Sequence, residues 1–233
     1  MPAVDNGKSR TITARVVYTQ QIQELRDAVV AMSSMVDKAI VRSIDALKTQ
    51  DVQLAREVIA ADRAINQLRW QTEERSLLVI ATQAPMAGDL RTIAAIIQIV
   101  TELERMGDHA AGNARIVVQT ATEPLLKPLV DLPRMGDLAR AMLSDSITAF
   151  IEGDADRARA IVDQDDAVDN LYNQIYRELL TYMMADPTTI NRATHLLWAA
   201  HNLERIADRV TNICERVVFA VTGALEEIAV STY

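Results

Sequence analysis

Cysteine is nearly missing from this chain. Among its 233 residues only Cys214 carries a thiol, so no disulfide can close within it. That excludes a disulfide framework and fits a reducing compartment, the cytosol. Aromatic residues make up 4%, and there are only seven glycines and six prolines. So few breakers, beside many straight-chain residues, favour long helices over sheets. No apolar run approaches the roughly 18 residues of a membrane span. The segment Met1 to Thr13 is polar and lacks the apolar centre of a signal peptide. Basic residues are outnumbered, 24 Lys and Arg against 32 Asp and Glu, for a formal net charge of −8. No basic run occurs, and nucleic acid is not an expected partner. The surplus carboxylates either hold cations or simply keep the surface soluble.

What is present is apolar material, 49% of the chain, enough for one large domain or two small ones. It recurs at helical spacing. Leu25, Val29, Met32, Val36, Ile40 and Leu47 form one stripe. This helix should end near Thr49, with Asp51 as N-cap of a second helix running to about Thr82. A loop from Gln83 to Asp89 holds Pro85 and Gly88, and a third helix capped by Asp89 runs to Thr120. Pro124, Pro128 and Pro133 then cluster as a linker.

Beyond the linker the pattern restarts. Met32 and Met135 are 103 residues apart, as are Asp51 and Asp154, Asp62 and Asp165, Ile65 and Val168, and Leu68 and Leu171. Glu104 and Glu204, Arg105 and Arg205, and Asp108 and Asp208 are 100 apart. The register slips by three, in the loop around Pro85 and Pro187, where length changes are tolerated. One three-helix unit is therefore used twice. The expected fold is all-α: an N-terminal tail (1–15), a first three-helix bundle (16–122), a linker (123–132) and a second three-helix bundle (133–233). Six helices of about 30 residues, each roughly 45 Å long, should pack antiparallel within each unit.

Acidic residues recur four apart, which places both members on one helix face. The third helix of each unit carries such a pair, Glu104 with Asp108 and Glu204 with Asp208. The second helix carries Asp165 with Asp169, and at the equivalent place Asp62 with Asn66. Folding back about the turns sets Asp165 level with Asp208 and Asp169 level with Glu204. It likewise sets Asp62 and Asn66 level with Asp108 and Glu104. On a helical wheel centred on Val100, with Ile93, Ile96, Gly107, Ala111, Ala114 and Val118 near zero, Glu104 falls about 40° away. Asp108 falls about 80° away, while Arg105 and His109 point elsewhere.

An acid pair beside an arginine is commonly no more than a solvated helix face, and Arg205 can pair with Asp208. Two copies at equivalent positions weaken that account. Carboxylates gathered beside a core repel unless a cation or protons neutralise them. Oxygen ligands suit Mg, Ca, Mn or Fe. The Glu-x-x-His signature of di-iron bundle enzymes is absent, since Met106, Arg192 and Trp198 stand three before His109, His195 and His201. A metal would be held by Asp165, Asp169, Glu204 and Asp208, with Asn212 one turn further on. In the first unit it would be held by Asp62, Glu104 and Asp108. Cys214 reads as buried and inert, and Met32, Met35, Met135 and Met142 as core. No glycine-rich phosphate loop and no nucleophile with its base are present.

Three segments carry a family resemblance. They are Thr82-Gln83-Ala84-Pro85-Met86-Ala87-Gly88-Asp89-Leu90-Arg91, Leu103-Glu104-Arg105-Met106-Gly107-Asp108-His109 and Leu203-Glu204-Arg205-Ile206-Ala207-Asp208-Arg209. The chain resembles the PhoU family in them, and the likeness extends from about Tyr18 to Glu227. The resemblance implies two similar three-helix bundles and a cytoplasmic regulator, not an enzyme. Such a protein acts beside a high-affinity phosphate ABC transporter. It links the transporter ATPase to a phosphate-sensing histidine kinase and restrains uptake when phosphate is plentiful. Some members bind multinuclear metal clusters, iron among them, through acid-x-x-x-Asp motifs. That role carries over to Glu104, Asp108, Glu204 and Asp208, with Asp165, Asp169 and Asp62 matching less closely. A homodimer that meets the membrane only through its partners is the expected assembly. The first unit departs from the pattern, with Asn66 in place of an acid and Gly112 where the second unit has Asn212. The second unit is accordingly expected to bind a cation more tightly. The competing readings are a carboxylate-bridged metalloenzyme and a purely structural helical scaffold.

Overall fold

The stripe that defines the first helix is buried as expected: Leu25, Val29, Met32, Val36, Ile40 and Leu47 are at most 4% exposed. Each such side chain contributes about 1.5–3 kcal/mol on burial. The structure, a computed structural model, describes residues 6–228, with side chains described from Val17 onward. All its regular elements are helical: α1 (Asn6–Thr49), α2 (Val52–Gln83), α3 (Ala87–Thr120), α4 (Asp131–Glu152), α5 (Ala155–Val162), α6 (Asp165–Ala185), a 3-10 turn (Pro187–Thr189) and α7 (Ile190–Thr222). No strand occurs among the described residues.

Helices α1, α2 and α3 pack together as one bundle, and α4, the α5–α6 pair and α7 as the other. The bundles lie side by side. Their main seam is α3 against α7, the largest helix–helix contact in the molecule, with a smaller one between α1 and α4. The apolar interior runs through both bundles as one cluster. Asp51 caps α2 by accepting from the Leu54 amide at 2.9 Å, and Asp154 caps α5 by accepting from the Arg157 amide at 2.9 Å. The same capping device thus starts the second helix of each half.

Several boundaries differ from expectation. Residues 6–15 are not a tail, because α1 is already helical from Asn6; the tail's first residues, 1–5, lie outside the described part. Asp89 does not cap α3. The cap position is Met86 and Asp89 sits in the first turn, where the helix dipole still favours an acid. The linker is 121–130, and Pro133 lies in the first turn of α4, where a missing N–H costs nothing. The fifth of the six long helices is broken at Asp163 and Gln164, so Asp165 becomes the first residue of α6. The wheel placed one apolar face on α3, but that helix packs against α1 and α2 in its own bundle and against α7 across the seam. Asn113 is consequently fully buried against α7, while Val118 is 40% exposed. No helix among the described residues is long and apolar enough to cross a membrane.

Candidate functional site

In the second bundle the acid-bearing faces of α6 and α7 meet. Asp165, Asp169, Glu204, Asp208 and Asn212 line one open cleft of about 970 Å³, together with Arg205 and Arg209. Glu204 is only 7% exposed. Burial, with Asp169, Asp208 and Asp166 nearby, pushes the Asp165 carboxyl up to about 7. Burial, and then Asp208, push Glu204 to about 7 as well, although Arg205 opposes the rise. Asp169 is raised by burial and by Asp208. Asp208 is raised by burial despite its ion pair with Arg205. These carboxylates feel one another as expected from the fold-back.

They are also short of partners. Asp165 Oδ1, Asp169 Oδ1 and Glu204 Oε2 are buried and accept no hydrogen bond. His201 Nδ1 lies 3.1 Å from Glu204 Oε2, but the alignment of a hydrogen bond is missing. Burial and Arg205 lower the His201 pKa, which disfavours the charged imidazole. The His201 ring is tilted against Tyr172, with centroids 6.2 Å apart.

The first bundle presents the same helix faces differently. Asp62 is raised by burial and then by Asp108, against Arg115 and the Asn66 amide. That amide donates to Asp62 Oδ2 at 3.1 Å. Asp62 Oδ1 is buried and unpartnered. Glu104 is raised by burial and Asp108, but Arg69 pulls it down. Arg69 bridges from α2, its Nη1 3.5 Å from Glu104 Oε1 and its Nε 2.9 Å from Glu73 Oε1. Asp108 itself is exposed.

Between the bundles runs a polar seam that the sequence reading missed. Glu102 on α3 meets Arg209 Nη1 at 3.4 Å and accepts from Asn212 Nδ2 at 3.2 Å. At the positions 100 residues apart, Asn202 Oδ1 on α7 faces His109 Nδ1 at 3.2 Å, and Asn202 Nδ2 donates to Asn113 at 2.9 Å. Gly112 makes room for it, since a Cβ there would sit 3.0 Å from Asn202 Nδ2. His109 therefore leans on the partner bundle and is only partly exposed. The signal was the offset of 100, which sets Glu102 against Asn202 and His109 against Arg209.

Buried carboxylate oxygens without partners are the chemistry that a hard multivalent cation satisfies. The donor set of the second bundle fits such an ion. Among the described residues, however, no three His, Cys, Asp or Glu side chains converge as a ready chelate. The oxygens border the cleft from two helices, α6 and α7.

The PhoU domain model matches the chain twice, over residues 29–117 and 132–217. The two matches start 103 residues apart and end 100 apart, the same slipped register as in the sequence repeat. A phosphate-specific transport system accessory protein PhoU homolog from Aquifex aeolicus is 41% identical over 186 residues, covering 80% of this chain and 84% of that protein. The crystal structure of PhoU from Pseudomonas aeruginosa superposes with a TM-score of 0.84 at 34% identity, covering 89% of this chain and 100% of that one. The phosphate transport system regulatory protein PhoU from Streptococcus pneumoniae gives 0.84 at 32%, covering 90% and 99%. With two matched domains, near full-length relatives and the same arrangement of helices, this chain belongs to the PhoU family.

Proposed function

We propose that the chain is an accessory, regulatory protein of a phosphate-specific transport system, acting in the cytoplasm without catalysing a reaction. The observation that carries this is the double domain match together with relatives named for that role over most of their length. In this reading it meets the transporter ATPase and a phosphate-sensing histidine kinase, and restrains uptake when phosphate is plentiful. A long, rigid pair of bundles suits such work, because helices that span the molecule offer separate faces to two partners.

The same reading gives the second bundle a multivalent metal ion held by Asp165, Asp169, Glu204 and Asp208. Three unpartnered buried oxygens in this cleft support it. The ion would neutralise the cleft and fix α6 against α7. The experiment is deletion of the gene followed by measurement of phosphate-responsive gene expression, with co-purification of the tagged chain. The expected result is expression that stays high in abundant phosphate, and recovery of the ATPase and the kinase. Unchanged regulation, with neither partner recovered, would refute the role.

A further inference from the structure

The two acid sites differ at a position that the acid motifs do not include. Arg69 on α2 and Tyr172 on α6 are 103 residues apart, the same offset that relates Asp62 to Asp165. Each side chain lies on the side of its bundle that carries the glutamate of the third helix. Arg69 Nη1 lies 3.5 Å from Glu104 Oε1. Tyr172 stands beside the His201 ring, centroids 6.2 Å apart, and His201 Nδ1 lies 3.1 Å from Glu204 Oε2. The neighbouring pair follows suit, with Glu73 in the first half where the second has Tyr176. Glu73 holds the Arg69 guanidinium by two contacts, Nε at 2.9 Å and Nη2 at 3.3 Å, and Thr101 donates to Glu73 at 3.3 Å.

We infer that Arg69 is a built-in cation of the first bundle, occupying in charge the place that a metal ion takes in the second, so that only the second bundle binds a hard multivalent cation. This rests on the metal reading above. The guanidinium is three-quarters buried, anchored at two points by Glu73, and directed at Glu104. Displacing it would break a fork-type pair with Glu73, which is costly. The second bundle has Tyr172 in place of that arginine. Its own arginine, Arg205, pairs with Asp208, and Glu204 Oε2 stays buried and unpartnered inside the cleft. In the first bundle the corresponding Arg105 turns away to Glu102 at 3.3 Å. Asn66 completes the contrast, donating its amide to Asp62 where Asp169 offers another anionic oxygen.

The test counts Mn(II) bound per chain by the loss of the free-ion electron paramagnetic resonance signal. Asp208→Asn is used as background, so that the first bundle is read alone. That background should bind Mn(II) at least tenfold more weakly than the unaltered chain. Adding Arg69→Tyr or Arg69→Met should restore a site, and a further Glu104→Gln should remove it again. Arg69→Lys, which keeps the charge, should restore nothing. In the otherwise unaltered chain, Tyr172→Arg should weaken binding at least tenfold. Circular dichroism checks that each variant stays helical, and the two neutral replacements guard against one failing to fold. The inference is overturned, with the metal reading intact, if the unaltered chain binds Mn(II) but both Arg69→Tyr and Arg69→Met add no site. It is overturned too if the Asp208→Asn background already binds as tightly as the unaltered chain. If neither the unaltered chain nor any variant binds, both the inference and the metal reading fall.

Discussion

Replacing Asp165 with asparagine should stabilise the metal-free protein at about pH 8, although it removes a charged group from a helix start. Burial and its carboxylate neighbours raise the Asp165 pKa from 3.8 to about 7. The folded chain then keeps a proton that the unfolded chain has released. Stability therefore falls as pH rises from about 4 to about 7, and the whole penalty is present above that window. Taken at face value the rise corresponds to about 4 kcal/mol. The cleft is open to water on one side, and Glu204 titrates in the same range, so screening and sharing leave about 1–2 kcal/mol. Against this stands the position of Asp165 as first residue of α6, where the helix dipole favours a negative charge by about 0.3–1 kcal/mol. The penalty of burial and repulsion wins, by about 1 kcal/mol.

For a chain of this size that is a rise in melting temperature of about 2–4 °C. The assay is thermal unfolding followed by circular dichroism in chelator, at steps between about pH 5 and 8. The advantage of Asp165→Asn should grow with pH and nearly vanish at the acid end. With a saturating hard cation the order should invert, because the parent chain keeps the ligand that the variant lost. A variant that is less stable than the parent at pH 8 in chelator, or whose advantage does not change with pH, would refute the argument.

Other parts of the molecule make sharper demands. Asn202→Ala removes the donor to fully buried Asn113 and the partner of His109, and should cost about 1–3 kcal/mol in urea unfolding. Cys214 is fully buried, with its thiol pushed by burial to about 12, so a disulfide reagent at about pH 8 should leave it untouched until the protein is denatured.

Most of the fold is legible in the sequence because two independent signals coincide. Apolar periodicity finds α1, and a matched pair of acidic caps, Asp51 and Asp154, starts the second helix of each half. Repeat arithmetic then fixes the second bundle from the first. What escapes is local. The break at Asp163 and Gln164 has no proline or glycine to announce it, since both residues keep near-helical dihedrals. The α3–α7 seam escapes for another reason. A single-faced wheel sends His109 outward, whereas a helix packed on several sides buries polar residues such as Asn113 that find partners across the seam. Asp62, Glu104, Asp108, Asp165, Asp169, Glu204 and Asp208 were visible as a spacing. Arg69 and Tyr172 were not, because neither belongs to the acid motifs, and only the repeat offset sets one against the other.

The same offset separates charge from geometry as the source of the difference between the halves. Beside the first site Gly107 lets α2 come close, since a Cβ there would lie 3.0 Å from Ile65 Cδ1 and 3.3 Å from Asp62 Oδ1. The second half has Ala207 for Gly107 and Val168 for Ile65. One methyl is gained on α7 and one is given up on α6, a trade of nearly constant volume that a packed interior tolerates well. All four positions are buried. The spacing between the second and third helices can therefore stay the same in both bundles while the groups beside it diverge. Asn66 against Asp169 then makes the second site more negative, and Arg69 against Tyr172 takes away the cation that stands beside the first site's glutamate.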